Sequence, residues 1–195
     1  MKYKFPFLAH LKRCAIFYIL VAFITPAIFT YFVYLKNRAK NYEVFSLFVS
    51  SNLKDKGGLK GLMKTFLPDD LEINVYSCDI SDSTFATYYL SKGEISDVLV
   101  LQKSFVDQYE YVPYLEISSL TSFDLSDAYI KNDKTYGLVI KDQDHSYLSN
   151  YINFSDDDYY IFINKSSVHL NNVGPDKYLT NQVEIVLTGI INNEG

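Results

Sequence analysis

Between Cys14 and Leu35 the chain runs CAIFYILVAFITPAIFTYFVYL, 22 residues without a charge. At roughly 1.5 Å per residue a helix of that length covers about 33 Å, enough for a hydrocarbon core of about 30 Å. Twelve of its residues are Ile, Leu, Phe or Val, which together favour membrane insertion by roughly 4–7 kcal/mol at mid-bilayer. Pro26 predicts a kink that a spanning helix tolerates, and Tyr31 and Tyr34 suit the interfacial belt at one end. A cleaved signal peptide is the rival reading, but it calls for a shorter apolar region and a small-x-small site. The nearest such site, Thr25-Pro26-Ala27, would leave the apolar Ile28–Leu35 as a new terminus.

After this segment the pattern shortens. Val44–Val49 (VFSLFV) is an apolar run of strand length, and Ser50, Ser51 and Asn52 offer helix-starting side chains behind it. Leu59, Leu62, Met63 and Phe66 share one face of a helix that Pro68 helps to end. Leu71, Ile73 and Val75 alternate with polar neighbours as a half-exposed strand does. A second helix is predicted over Ser83–Lys92, with Phe85, Tyr88 and Tyr89 inward and Gly93 as its stop. The uniformly apolar Val98–Leu101 then suits a strand buried on both faces.

The second half is less regular. Tyr111–Leu115 contains Pro113 and reads as extended. Tyr136–Ile140 and Tyr159–Asn164 read as strands, and Val183, Val186, Leu187, Ile190 and Ile191 mark a closing helix. Strand alternating with helix predicts an α/β fold: one N-terminal transmembrane helix and a single three-layer α/β lobe with a mostly parallel sheet. The expected organisation is a basic head over residues 1–13, the span over 14–35, a linker over 36–43 and the lobe over 44–195.

Charge sharpens this division. Seven of the 18 basic residues and none of the 23 acidic ones fall within positions 1–40, so the remainder carries a formal charge of −12. Such a body argues against nucleic acid or anionic lipid as its partner. Four basic residues precede the span and three follow it. The positive-inside rule therefore tilts only slightly toward a cytoplasmic head and an extracytoplasmic body at the cell membrane.

Chemistry is sparse. His10, His145 and His169 are scattered, no metal-ligand spacing occurs, and neither a phosphate-cradling glycine loop nor a Gly-x-Ser-x-Gly elbow is present. Asp156-Asp157-Asp158 lacks the alternating oxygen ligands and glycine of a calcium loop and reads as a solvated turn. Cys14 lies in the apolar segment, so Cys78 has no disulfide partner in the body and reads as a small buried residue at a strand end. The expectation is a chain that is not an enzyme and holds no metal or cofactor. Its 18 Tyr and 14 Phe, with no Trp, are the one compositional excess, serving as core or as ring surfaces for a ligand.

Five landmarks in order, namely VFSLFVSSN (44–52), FATYYLSKGEISDVLVL (85–101), YVPYL (111–115), KTYGLVI (134–140) and YYIFINK (159–165), resemble the first lobe of bacterial extracellular solute-binding proteins of the periplasmic-binding type 2 fold. Val139 stands where that family's Gly-Lys-x-Tyr-Gly-x-Pro stretch has proline. The resemblance implies ligand contacts in the loops after Val49, Tyr76 and Leu101 and at Tyr136-Gly137, where open parallel sheets bind ligands. The candidates it implies are Ser51, Asn52, Asp79, Gln102, Lys103 and Tyr136. Beyond Asn164-Lys165 the family builds a second lobe, for which this chain has too few residues, and a one-walled cleft does not enclose a small solute. Two functions are thus expected. One is a membrane-anchored, non-catalytic binding module for a solute or peptide, linked to transport. The other is an accessory lobe that docks on a transporter or sensor protein.

Overall fold

The computed structural model describes residues 14–15, 21–30, 43–108, 113–118, 125–140, 146–170 and 182–192. It separates into two compact units, Met1–Ala39 and Lys40–Gly195. In the first unit, residues 14–15 and 21–30 are helical, and every side chain from 21 to 30 is exposed. Among the described residues no helix is long and apolar enough to cross a membrane. The remainder of the expected span 14–35, with the head 1–13 and most of the linker, lies outside the described residues.

The second unit is built on a six-stranded sheet of order β2-β1-β3-β6-β5-β4. Its strands are β1 (Val44–Val49), β2 (Glu72–Ser77), β3 (Val98–Gln102), β4 (Tyr129–Lys131), β5 (Lys134–Val139) and β6 (Tyr159–Ile163). The helices are α1 (Lys56–Phe66), α2 (Phe85–Tyr88), α3 (Lys103–Asp107) and α4 (Gln182–Asn192); α2 runs directly into a π-turn, Tyr89–Gly93.

The expected α/β class holds, but the sheet is mixed, not mostly parallel. β1 pairs in parallel with both β2 and β3, whereas β6 is antiparallel to β3 and to β5, and β4 is antiparallel to β5. The reason lies in the connections. In the first half helices carry the chain back across the sheet between strands, which makes successive strands parallel. In the second half the β4–β5 hairpin and the connection from β5 to β6 bring each strand back antiparallel to its neighbour. The β4–β5 hairpin turns on Asn132 and Asp133, whose φ values of 53° and 60° match a two-residue primed turn. β4 itself was not expected, since three residues are too few to show alternation.

Side chains alternate cleanly across β1, β3 and β6. Phe45, Leu47 and Val49, Val98 and Val100, and Ile161 and Ile163 face one side, where α1 and α4 cover them. Phe48, Leu99, Leu101, Tyr160 and Phe162 face the other, beneath α2, the π-turn and α3. The first core is largely aliphatic; the second is largely aromatic, with Phe105 edge-on to both Phe85 and Tyr89 at 4.9 Å between ring centres.

Helix α1 buries Leu59, Leu62 and Met63 as their spacing predicts. It begins later than expected. Asp55 is the cap, accepting from Gly58 N at 2.9 Å, rather than Ser50, Ser51 or Asn52. Ser50 and Ser51 are instead buried and bonded elsewhere. The expected helix over 83–92 is realised as α2 and the π-turn, in which Phe85 and Tyr89 are buried and Tyr88 only half so. Gly93 ends it against the Tyr89 ring, where an added Cβ would stand 2.4 Å away. α4 buries Val183, Val186, Leu187 and Ile190; the side chain of Ile191 lies outside the described residues. Gly189 lets the Phe66 ring of α1 pack against the α4 backbone.

Candidate functional site

Strands β1, β2, β3 and β5 end at the same edge of the sheet, the edge at which β6 begins. This carboxyl edge gathers five of the six sequence candidates: Ser51, Asn52, Asp79, Gln102 and Lys103. It also closes over them. Leu53 bridges Ile152, Asn153 N donates to Asn52 O at 2.9 Å, and Lys54 N donates to Tyr151 O at 2.7 Å. Lys54 Nζ reaches Ser149 O at 2.9 Å. The segment ahead of β6 is thereby laid across the loop after β1, so the crevice that open sheets offer to ligands is lined with the chain's own backbone.

The candidate side chains are correspondingly engaged. Ser51 is buried and its hydroxyl donates to Asn153 O. Gln102 is 3% exposed; its amide donates to Ser50 O at 3.3 Å and to the Tyr159 hydroxyl. Its backbone N donates to Ser50 Oγ at 2.9 Å. Asp79 folds back on its own turn, accepting from Ser81 N at 2.9 Å and Ser81 Oγ at 2.7 Å. Asn52 is exposed and donates weakly to Asp79 Oδ2 at 3.4 Å. Lys103 is exposed, with its backbone N tied to Asp158 O at 2.8 Å. Within the run Asp156-Asp157-Asp158, Asp157 anchors the start of α3, accepting from Ser104 Oγ at 2.6 Å and from Ser104 N at 3.1 Å. No grouping of metal-ligating side chains occurs among the described residues.

Tyr136 is not brought to this edge. It precedes Gly137, which pairs with Phe162, whereas Gln102 pairs with Tyr159. Four residues of strand, about 13 Å, therefore separate Tyr136 from the level of Gln102. Its half-buried side chain packs against the aromatic core. Cys78, expected to be buried at a strand end, follows β2 but is only partly covered, and burial raises its thiol pKa, with Asp82 adding to the effect.

The opposite, amino edge holds a polar cluster that sequence reasoning missed. Asp97, immediately before β3, is 4% exposed. Its Oδ2 accepts from Ser46 N at 2.7 Å and Ser46 Oγ at 2.9 Å; its Oδ1 accepts from Ser167 Oγ and lies 2.9 Å from His169 Nδ1. Ser, His and Asp are all present, yet the arrangement is not that of a nucleophilic triad. The carboxylate stands at the centre, the serine hydroxyl bonds to it rather than to the imidazole, and His169 is fully buried. The cluster instead clamps the segment after β6 to β1 and β3. Ser46, Ser167 and His169 lie 51, 70 and 72 residues from Asp97, so no local pattern announces the cluster.

Beside this clamp is a cavity of about 270 Å³. Tyr89, Leu99, Pro113 and Tyr114 supply apolar wall, and the two tyrosine hydroxyls are 2.9 Å apart. Gly93 and Glu94 of the helix end and the Asn164-Lys165-Ser166 turn form the rest. Asn164 ties these parts together, donating from Nδ2 to Glu94 O at 2.7 Å and to Ser96 O at 2.9 Å. π-turns recur at functional sites, and this one supplies Tyr89 and Gly93 to the cavity.

No family model matches this chain, and neither the curated proteins nor the solved structures yield a match.

Proposed function

We propose that this chain is a membrane-anchored, non-catalytic binding module: the apolar segment 14–35 lies in the bilayer of the cell membrane, and the acidic α/β body stands outside the cytoplasm. There it presents its surface to a protein partner such as a transporter or sensor subunit. The observation that carries the reading is the helical stretch 21–30, where Phe23 and Phe29 are 75% and 69% exposed and no charge occurs. Water does not favour such a surface, whereas lipid does. The closed carboxyl edge supports docking over solute capture, because Ser51 and Gln102 already bond within the chain. The test is extraction of membranes carrying the full chain. It should resist alkaline carbonate and yield to detergent, with the body digested by protease added to the outside of spheroplasts. Release by carbonate, or a protected body, defeats the proposal.

A second reading, capture of a small solute or peptide at the carboxyl edge, is favoured by two observations. Five candidates meet there, and the landmark strands β1, β3, β6 and β5 are neighbours in the sheet, as parts of one lobe would be. Sugars and peptides should then raise the melting temperature of the full chain in detergent. Replacing the exposed Asn52 and Lys103 with Ala should remove that rise. No rise across the panel dismisses this second reading.

A further inference from the structure

We infer that the amino edge of the body is a lipid-contact surface, on which Leu90, Ile95 and Ile130 enter the headgroup region of a zwitterionic bilayer. This rests on the proposed anchoring by segment 14–35 and deepens it, naming the face of the body that meets the membrane.

Placement comes first. Among the described residues of the body, the exposed large apolar side chains are Leu90, Ile95, Ile130, Tyr147 and Ile185. Three of them gather at the amino edge. Leu90 lies in the π-turn that returns the chain there, and Ile95 in the turn that follows, ahead of β3. Ile130 pairs with Thr135, which is nearer that edge than Gly137, and Gly137 pairs with Phe162. Since Phe162 in turn pairs with Leu99, Ile130 stands at about the level of Asp97. Tyr147 belongs to the segment across the carboxyl edge and Ile185 to α4. Single exposed apolar residues are ordinary; these three are 60%, 64% and 62% exposed and share one edge.

Reach comes second. β1 enters the sheet at this same edge, and eight residues, 36–43, separate its first residue from the apolar segment. A fully extended chain of that length spans at most about 29 Å. The edge is thus tethered close to the bilayer, at an effective concentration on the order of millimolar. A weak apolar contact is then enough to populate the seated state.

Charge selects the lipid. Glu94 and Asp133 are exposed at this edge together with Lys134 and Lys165, within an acidic body. Such a mixture offers no attraction to anionic headgroups, whereas exposed Leu and Ile gain by leaving water. The occupant is therefore zwitterionic lipid, entered to a depth of about 5–10 Å by apolar side chains.

The chain contains no Trp, so Ile95→Trp, Ile130→Trp and Tyr147→Trp, made singly, each supply one fluorescent probe. Each full-length variant is placed in phosphatidylcholine nanodiscs, with and without bromine in the upper acyl chains, and cooperative melting checks its fold. Ile95→Trp and Ile130→Trp should emit at shorter wavelength and lose about half of their emission to bromine, as interfacial side chains do. Tyr147→Trp, at the opposite edge, should lose none. Leu90→Asp added to Ile95→Trp should reduce the quenching, and so should exchange of the lipid for anionic phosphatidylglycerol. The inference is overturned if Ile95→Trp and Tyr147→Trp are quenched alike, or if neither Leu90→Asp nor phosphatidylglycerol changes the quenching. A blue shift without quenching also overturns it, since a second copy or another protein would then cover the edge. Unquenched variants that co-purify with the discs overturn the inference and leave the anchoring standing. A chain that does not enter the discs removes the anchoring, and the inference with it.

Discussion

The two edges of the sheet differ in how they treat polar groups. At the carboxyl edge, the chain lays the segment before β6 across the loop after β1, with backbone bonds such as Asn153 N to Asn52 O at 2.9 Å. At the amino edge, polarity is concentrated in one buried carboxylate, Asp97, and beside it a 270 Å³ cavity remains open. Open α/β sheets bind ligands at their carboxyl ends because the loops diverge there. Here the loops converge, because a hairpin and an antiparallel β6 return the chain to that edge and fill it. The position of a crevice thus depends on the connections and not on strand direction alone.

The largest effect should come from the amino edge. Asp97→Ala removes the carboxylate that the buried Ser46, Ser167 and His169 groups share. Leaving a buried donor unsatisfied costs about 1–3 kcal/mol for each group, and several donors share this one carboxylate. Denaturant unfolding in detergent should show a lower midpoint with an unchanged slope. A loss below about 1 kcal/mol, the scale of an exposed pair, would mean that the clamp does not hold the segment after β6.

Next comes Gln102→Ala at the carboxyl edge, which removes the amide between Ser50 O and the Tyr159 hydroxyl. Leaving one buried acceptor unsatisfied costs about 1–3 kcal/mol, read from the same unfolding curves. A cost equal to that of Asp97→Ala would erase the contrast between the edges. Gly93→Ala should follow at about 1–3 kcal/mol, since the new Cβ meets the Tyr89 ring at 2.4 Å and overpacking carries that cost. It should also crowd the cavity that Gly93 lines. The smallest effect is expected from Asn52→Ala with Lys103→Ala: both side chains are exposed, and stability should change by no more than about 0.5 kcal/mol each. A larger change would show that the carboxyl edge is held by side chains as well as by backbone.

Much of the body was legible along the chain. VFSLFV and VLVL marked β1 and β3, and the spacing of Leu59, Leu62 and Met63 and of Val183, Val186, Leu187 and Ile190 marked α1 and α4. The mixed sheet was not legible, because the direction of β6 follows from a connection without helical period. Nor was the Asp97–His169 contact, which joins residues 72 positions apart. Tyr136 was drawn into the candidate set by motif, yet register places it about four residues of strand from Gln102.

By itself the amino-acid order determined the charge-free segment, the acidic body, and the helices and strands whose apolar side chains repeat with a period of 3.6 or 2. Each of these depends on near neighbours, and their physics is local. Only the tertiary structure decided which strands run antiparallel, which edge closes and which stays open, and that a carboxylate, an imidazole and two serines meet at the sheet's amino edge. Those outcomes depend on pairing between distant segments, where the burial of one polar group is tolerated only if remote parts of the chain supply its hydrogen bonds.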